Sequence, residues 1–157
     1  MKAIFKLAVA IGICQSAGIV GSIFTMSAIP GWYAQVVKPA LTPPGWVFGP
    51  VWITLYTLMG IALYLVWRKR TKEQCHCEAL RLFFFQLALN VLWSYLFFGL
   101  KEPLIAFFGI GILFLAILAT IWRFWSISRG AAYLLLPYAG WVAFAAYLNY
   151  SVWQMNF

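Results

Sequence analysis

Residues 43–67 read PPGWVFGPVWITLYTLMGIALYLVW, and the two halves of this stretch obey different rules. Pro43, Pro44, Gly45, Gly49 and Pro50 are poor residues for a helix interior, yet they stand among Trp46, Phe48 and Trp52. From Ile53 to Trp67 no charge interrupts an apolar run. A helix rising 1.5 Å per residue needs about 20 residues to cross the hydrocarbon core of a bilayer. The second half therefore reads as a membrane span. The first half reads as chain held rigid where that span begins, because proline suits the first turn of a helix. Pro50 lies near that turn and is expected to kink it.

The same pattern recurs along the chain. Uncharged runs occupy 7–37, 39–67, 82–100, 103–122 and 130–157. Of the 157 residues, 65% are hydrophobic and 9% charged. Soluble domains carry about 25% charged residues, so the composition is that of a membrane protein. The expected fold is an all-α, five-transmembrane-helix bundle forming a single domain over 1–157, with spans at about 4–26, 46–67, 79–99, 103–125 and 132–155. The run from Leu7 exceeds the 7–15 residues of a signal-peptide core and carries Gly12, Gly18, Gly21 and Ser22, so it reads as a retained span. Short connections predict that consecutive helices pack as antiparallel neighbours.

A net charge of +8 raises the question of nucleic acid, and the distribution of charge answers it. Five spans put Lys2, Lys6, Arg68, Lys69, Arg70, Lys72, Arg81, Arg123 and Arg129 on one side, and only Lys38 and Lys101 on the other. Nine against two is a positive-inside bias that places the N-terminus in the cytoplasm and the C-terminus outside, as in a bacterial-type inner membrane. No nucleic-acid partner is expected; the partners are membrane lipid and a hydrophobic small molecule. Cys75, His76 and Cys77 lack the spacing and number of ligands that zinc requires and read as a solvated loop, and no metal is expected.

The segment 27–45 is too long for a simple helical connection and holds four prolines and two glycines. Its Trp32-Tyr33 pair argues for order, so a long ordered external loop acting as a lid is expected between helices 1 and 2. Within the spans there is no deep Asp, Glu, Lys or Arg, and the single His lies outside them. Ion-coupled transport usually needs such a group, and a Ser–His–Asp hydrolase is excluded because the chain has no Asp. Arg81 and Arg123 sit at span ends, where they can snorkel. What the spans do offer is aromatic surface with a few neutral polar groups. Gln86, Asn90, Trp93 and Phe97 share one helical face; Trp52, Tyr56 and Met59 share another; Trp141, Ala145, Leu148 and Val152 a third, with Asn149 beside it. Such faces suit either an apolar ligand pocket or helix–helix packing. Trp46, Trp67, Trp122, Trp125 and Trp153 read as an interfacial belt. Small pairs, Gly18 with Ser22 and Ala139 with Ala143, suit close helix contact, either within the monomer or in a homodimer.

Trp32-Tyr33, Lys38-Pro39, Pro43-Pro44, Pro50-Val51-Trp52, Leu55-Tyr56, Met59-Gly60, Gln86 to Asn90, Phe97-Phe98-Gly99, Pro137-Tyr138, Trp141 to Ala145 and Leu148-Asn149-Tyr150 occur in this order over nearly the whole chain. Together they resemble the tryptophan-rich sensory protein/translocator protein family, that of the mitochondrial peripheral benzodiazepine receptor. The resemblance implies a five-helix bundle, often dimeric, with one pocket beneath the loop joining spans one and two. It implies binding of porphyrins and of benzodiazepine-type compounds, and in some bacterial members light- and oxygen-dependent porphyrin breakdown. Trp52 and Trp141 match the tryptophans tied to that chemistry. Ser22, Pro44, Phe48, Asn90, Ala145 and Leu148 match pocket positions, and Trp32, Tyr33, Tyr56 and Trp93 complete the expected ligand-binding set. No basic residue follows Leu148-Asn149-Tyr150, so the animal members' sterol pattern is incomplete.

Three functions are compatible with such a pocket: a receptor or scavenger for porphyrins of the protoporphyrin IX type, a photo-oxidative enzyme using Trp52 or Trp141 as electron donor, and a transporter of tetrapyrroles, lipids or sterols. No cofactor is expected. The spans hold no His, and their sulfur ligands are Cys14, Met26, Met59 and Met155, a poor provision for haem. The porphyrin is therefore expected as ligand or substrate.

Overall fold

A computed structural model describes residues 2–69 and 73–157. Arg70 and Lys72, counted above among the basic residues, and the side chain of Cys75 lie outside the described residues. Helices α1 (Lys2–Ala28), α3 (Gly45–Trp67), α4 (Glu73–Ser94), α5 (Pro103–Ile127) and α6 (Arg129–Asn156) are long, and α2 (Trp32–Gln35) is a single turn within the α1–α3 loop. All five long helices carry a window apolar and long enough to cross a membrane, and no strand occurs among the described residues.

The long helices form a closed ring in the order α1, α3, α6, α5, α4, back to α1. Consecutive helices are neighbours with one exception: α3 and α4 barely touch, although the link between Trp67 and Glu73 is short. Lys69, two residues after α3, donates from Nζ to the carbonyl of Ile127 at 2.9 Å and so ties the end of α3 to the end of α5. His76 and Cys77 lie in the first turns of α4 rather than in a loop, because the helix extends beyond the apolar run.

Close approach between helices depends on small residues turned inward. A Cβ at Gly60 would stand 2.5 Å from the Ile11 Cα, so α1 and α3 touch backbone to backbone there. A Cβ at Gly18 would meet the Tyr56 ring at 2.6 Å. Gly18 of the Gly18–Ser22 pair therefore packs inside the bundle, and of the other pair Ala139 is buried while Ala143 is exposed.

Two polar knots lock the ring. Tyr56 donates its hydroxyl proton to Asn90 Oδ1 at 2.6 Å, and Asn90 Nδ2 donates to the Tyr138 hydroxyl at 2.8 Å, joining α3, α4 and α6. Trp93 Nε1 donates to Asn149 Oδ1 at 3.1 Å, and Asn149 Nδ2 donates to the Pro103 carbonyl at 2.7 Å, joining α4, α6 and α5. Both knots are buried, where an unpaired polar group costs about 1–3 kcal/mol. Gln86 is the contrast: it is buried and neither amide atom has a hydrogen-bond partner.

Pro50 does not break α3, which runs unbroken from Gly45; Pro44 is its N-cap and its carbonyl accepts from the Val47 N–H at 2.9 Å. At the same end of the bundle α4 passes into a π-helical turn over Tyr95–Gly99. The extra residue in that turn presents both Phe97 and Phe98 to the loop. Trp32 packs edge-on to Phe97 at 5.6 Å, Tyr33 to Phe98 at 5.6 Å, and Trp93 stacks on Phe97 at 5.7 Å.

Candidate ligand-binding cavity

Beneath the α1–α3 loop lies a largely apolar cavity of about 700 Å³, within the 300–1,000 Å³ range of small-molecule sites. Four helices, α1, α3, α4 and α6, and the loop build it. The face of α1 contributes small and polar groups, among them Gln15, Gly18, Gly21, Ser22 and Thr25. From the start of α3 come Phe48, Trp52 and Tyr56, one helical turn apart, so the proline-bearing N-terminus of that helix sets the height of the aromatic wall. Trp93, Ser94 and Phe98 close the back from α4 and its π turn, and Trp141 with Ala145 closes the α6 side.

The walls are fixed by contacts with one another and with residues behind them. Trp52 stacks on Tyr56 at 5.5 Å with 29° between planes, and Tyr56 is held by Asn90 and by Gly18 at its ring face. Phe48 meets Trp141 edge-on at 6.0 Å, linking the α3 wall to the α6 wall. Gln15 Nε2 donates to the Ile53 carbonyl and to Thr57 Oγ1, both at 3.0 Å, pinning α1 to α3. The rim on α1 and α3 is open: Met26 is 72% and Trp46 77% exposed, and Ile19 and Ile53 beside them are exposed as well.

Of the residues expected to bind ligand, Ser22, Tyr33, Phe48, Trp52, Tyr56, Trp93, Trp141 and Ala145 line this one cavity. Trp32, Pro44, Asn90 and Leu148 do not. Trp32 faces Phe97 under the loop; Pro44 is the exposed N-cap of α3, and its neighbour Pro43 is the one that reaches the cavity; Asn90 lies behind Tyr56; Leu148 is buried among the helices. Of these four, Asn90 and Trp32 brace wall residues, holding Tyr56 and Tyr33.

Lys38 is the residue that sequence reasoning passed over. It is the single charged side chain among the described residues lining the cavity. Its Nζ donates to the Val36 carbonyl at 2.8 Å and stands 4.9 Å from the centre of the Tyr33 ring. Burial pushes the Tyr33 phenol above its ordinary pKa, so that ring stays neutral beside the cation through the physiological range. An ammonium at the mouth of an apolar cavity can receive a carboxylate from a ligand. The signal was a lone cation among the prolines of the loop, which had counted only towards topology.

Comparison with known proteins agrees with this architecture. The profile of the TspO/MBR family matches residues 10–154. The chain is 44% identical to the tryptophan-rich protein TspO of Archaeoglobus fulgidus, covering 98% of each. It is 41% identical to the human translocator protein over 87% of this chain and 82% of that one. The tryptophan-rich sensory protein of Cereibacter sphaeroides is 35% identical, over 80% and 77% respectively. A profile match over most of the sequence and relatives aligned nearly end to end lead to one conclusion: the chain is a multi-pass integral membrane protein that belongs to the TspO/MBR family.

Proposed function

We propose that the cavity receives a planar hydrophobic molecule of the porphyrin class, and that benzodiazepine-type aromatics occupy the same space. One observation carries this reading: Trp52 and Trp141, on different helices, line a single apolar cavity whose charged group is Lys38. Indole faces stack on a macrocycle, each such contact adding about 0.5–1.5 kcal/mol beyond burial, and Lys38 suits a peripheral carboxylate. The chain's one His, His76, lies in the first turn of α4 and does not line the cavity, so recognition rests on shape and stacking rather than axial ligation. Indole is also readily oxidised. An illuminated porphyrin can take one electron from Trp52 or Trp141, giving a porphyrin radical anion and an indole radical cation, with molecular oxygen as the terminal oxidant. The proposed setting is a bacterial-type inner membrane with the lid end external, and a homodimer whose contacts do not use Gly18.

The test is a spectral titration with protoporphyrin IX in detergent, dark and illuminated, on wild type and Trp141→Phe. The variant keeps an aromatic face and loses the easily oxidised ring. Affinity within about tenfold of wild type, with light-driven breakdown largely lost, is the expected result. A parallel fall in both makes Trp141 a wall only. The exposed rim of Ile19, Met26, Trp46 and Ile53 favours a second reading, carriage of ligand between cavity and bilayer; net flux into sealed vesicles in the dark would support it.

A further inference from the structure

At the other end of the bundle, on the α4–α5 face, lies an open depression of about 580 Å³ lined by Glu78, Arg81, Leu82, Phe85 and Arg123. Arg81 is in the early turns of α4 and Arg123 near the end of α5, so the two guanidiniums share one level of the bundle. Leu82 and Phe85 lie on the same side of α4, and Phe85 is 53% exposed. Arg123 pairs with Glu78 at 3.0 Å, both side chains being more than a third exposed, and its guanidinium stands 4.8 Å from the ring centre of Trp122, itself 67% exposed. Arg81 is exposed and has no ion pair among the described residues.

We propose that this depression binds an anionic phospholipid, its phosphate held by Arg81 and Arg123 and its first acyl chain lying along Leu82 and Phe85. The charge is complementary, two guanidiniums against one carboxylate. Glu78 does not block the site, because an exposed ion pair contributes about 0–1 kcal/mol and Arg123 has donors in excess of that one contact. The level is right as well. Both arginines lie in the outermost turns of their spans, and an exposed tryptophan beside Arg123 marks where hydrocarbon gives way to headgroups. The apolar floor decides between sources of phosphate: a soluble phosphate ester would leave Leu82 and Phe85 unused, whereas a lipid covers both. A zwitterionic lipid brings a cation towards two guanidiniums and is disfavoured.

Native mass spectrometry of the full chain, titrated with phosphatidylglycerol or with phosphatidylcholine of the same acyl chains, tests this. Wild type should retain phosphatidylglycerol with roughly tenfold preference, and Arg81→Gln/Arg123→Gln should lose the preference. Glu78→Gln, which removes the competing carboxylate, should strengthen retention, a change that a merely unstable variant cannot imitate. Glycerol 3-phosphate at millimolar concentration should not compete. Equal retention of the two lipids by wild type, an unchanged preference in the double variant, or effective competition by glycerol phosphate would each overturn the proposal.

Discussion

A lysine ammonium at the wall of an apolar cavity is stable only with partners, and Lys38 has two: the Val36 carbonyl and the Tyr33 ring face. Neither neutralises its charge, so an anion in the cavity gains more from Lys38 than a neutral ligand does. Lys38→Met keeps the apolar stem and removes the charge. It should weaken binding of protoporphyrin IX, a dicarboxylic acid, by about tenfold, the loss expected for one hydrogen bond to a charged group. Binding of the dimethyl ester should be nearly unchanged. Equal losses for acid and ester, read by absorbance titration, would mean that Lys38 only shapes the loop. The residues of this site differ in how far they could be read from sequence. The spacing of Trp52 and Tyr56, and of Trp141 and Ala145, selects helical faces, and both pairs reach the cavity. Asn90 sits on an equally good stripe, yet its amide is consumed by two tyrosine hydroxyls, and periodicity cannot tell a wall from the group that braces it.

At the scale of the element, the loop is held by one side chain from the far end of the chain. Asn156, the last residue of α6, accepts from the Val37 N–H at 2.8 Å and donates to the Val37 carbonyl at 2.9 Å, as a strand partner would, and also donates to the Val152 carbonyl. Val36 and Pro39 on either side of that contact are buried. The clasp therefore fixes the part of the loop that positions Lys38. Asn156→Ala should leave the helices intact while the Val37 amide loses protection in hydrogen exchange. Porphyrin should dissociate roughly threefold to tenfold faster, since each of the two exposed bonds contributes about 0.5–1.5 kcal/mol. Unchanged protection at Val37 would show that the aromatic packing of Trp32 and Tyr33 holds the loop alone. No local pattern announces a pairing between residues 119 apart. The π turn over Tyr95–Gly99 was equally hidden, because an apolar run reads as plain helix until the aromatics that it must meet are in place. The five long helices were legible because their lengths answer to the thickness of a bilayer, a constraint that needs no tertiary information.

Over the whole molecule, most of the described basic residues lie at the end of the bundle where α1, α4 and α6 begin, Lys38 and Lys101 excepted, and the cavity lies at the opposite end. Anionic headgroups and the positive-inside bias both act on Lys and Arg near span ends, and acidic residues counter that bias weakly. The orientation expected from nine basic residues against two puts the α4 start in the cytoplasm and the loop outside. Cys77 reports it directly, because it is an exposed free thiol near that start, whereas Cys14 is buried in the bundle. In intact cells carrying a Cys75→Ser variant, an impermeant maleimide should leave Cys77 unlabelled, and lysis should then expose it to full reaction. The control is a cysteine placed at Gly31, in the loop, where a side chain meets open space; it should label without lysis. Full labelling of Cys77 before lysis, with Gly31→Cys protected, would invert the molecule. The cavity would then draw its ligand from the cytoplasmic side, and the depression at Arg81 and Arg123 would face the outer leaflet.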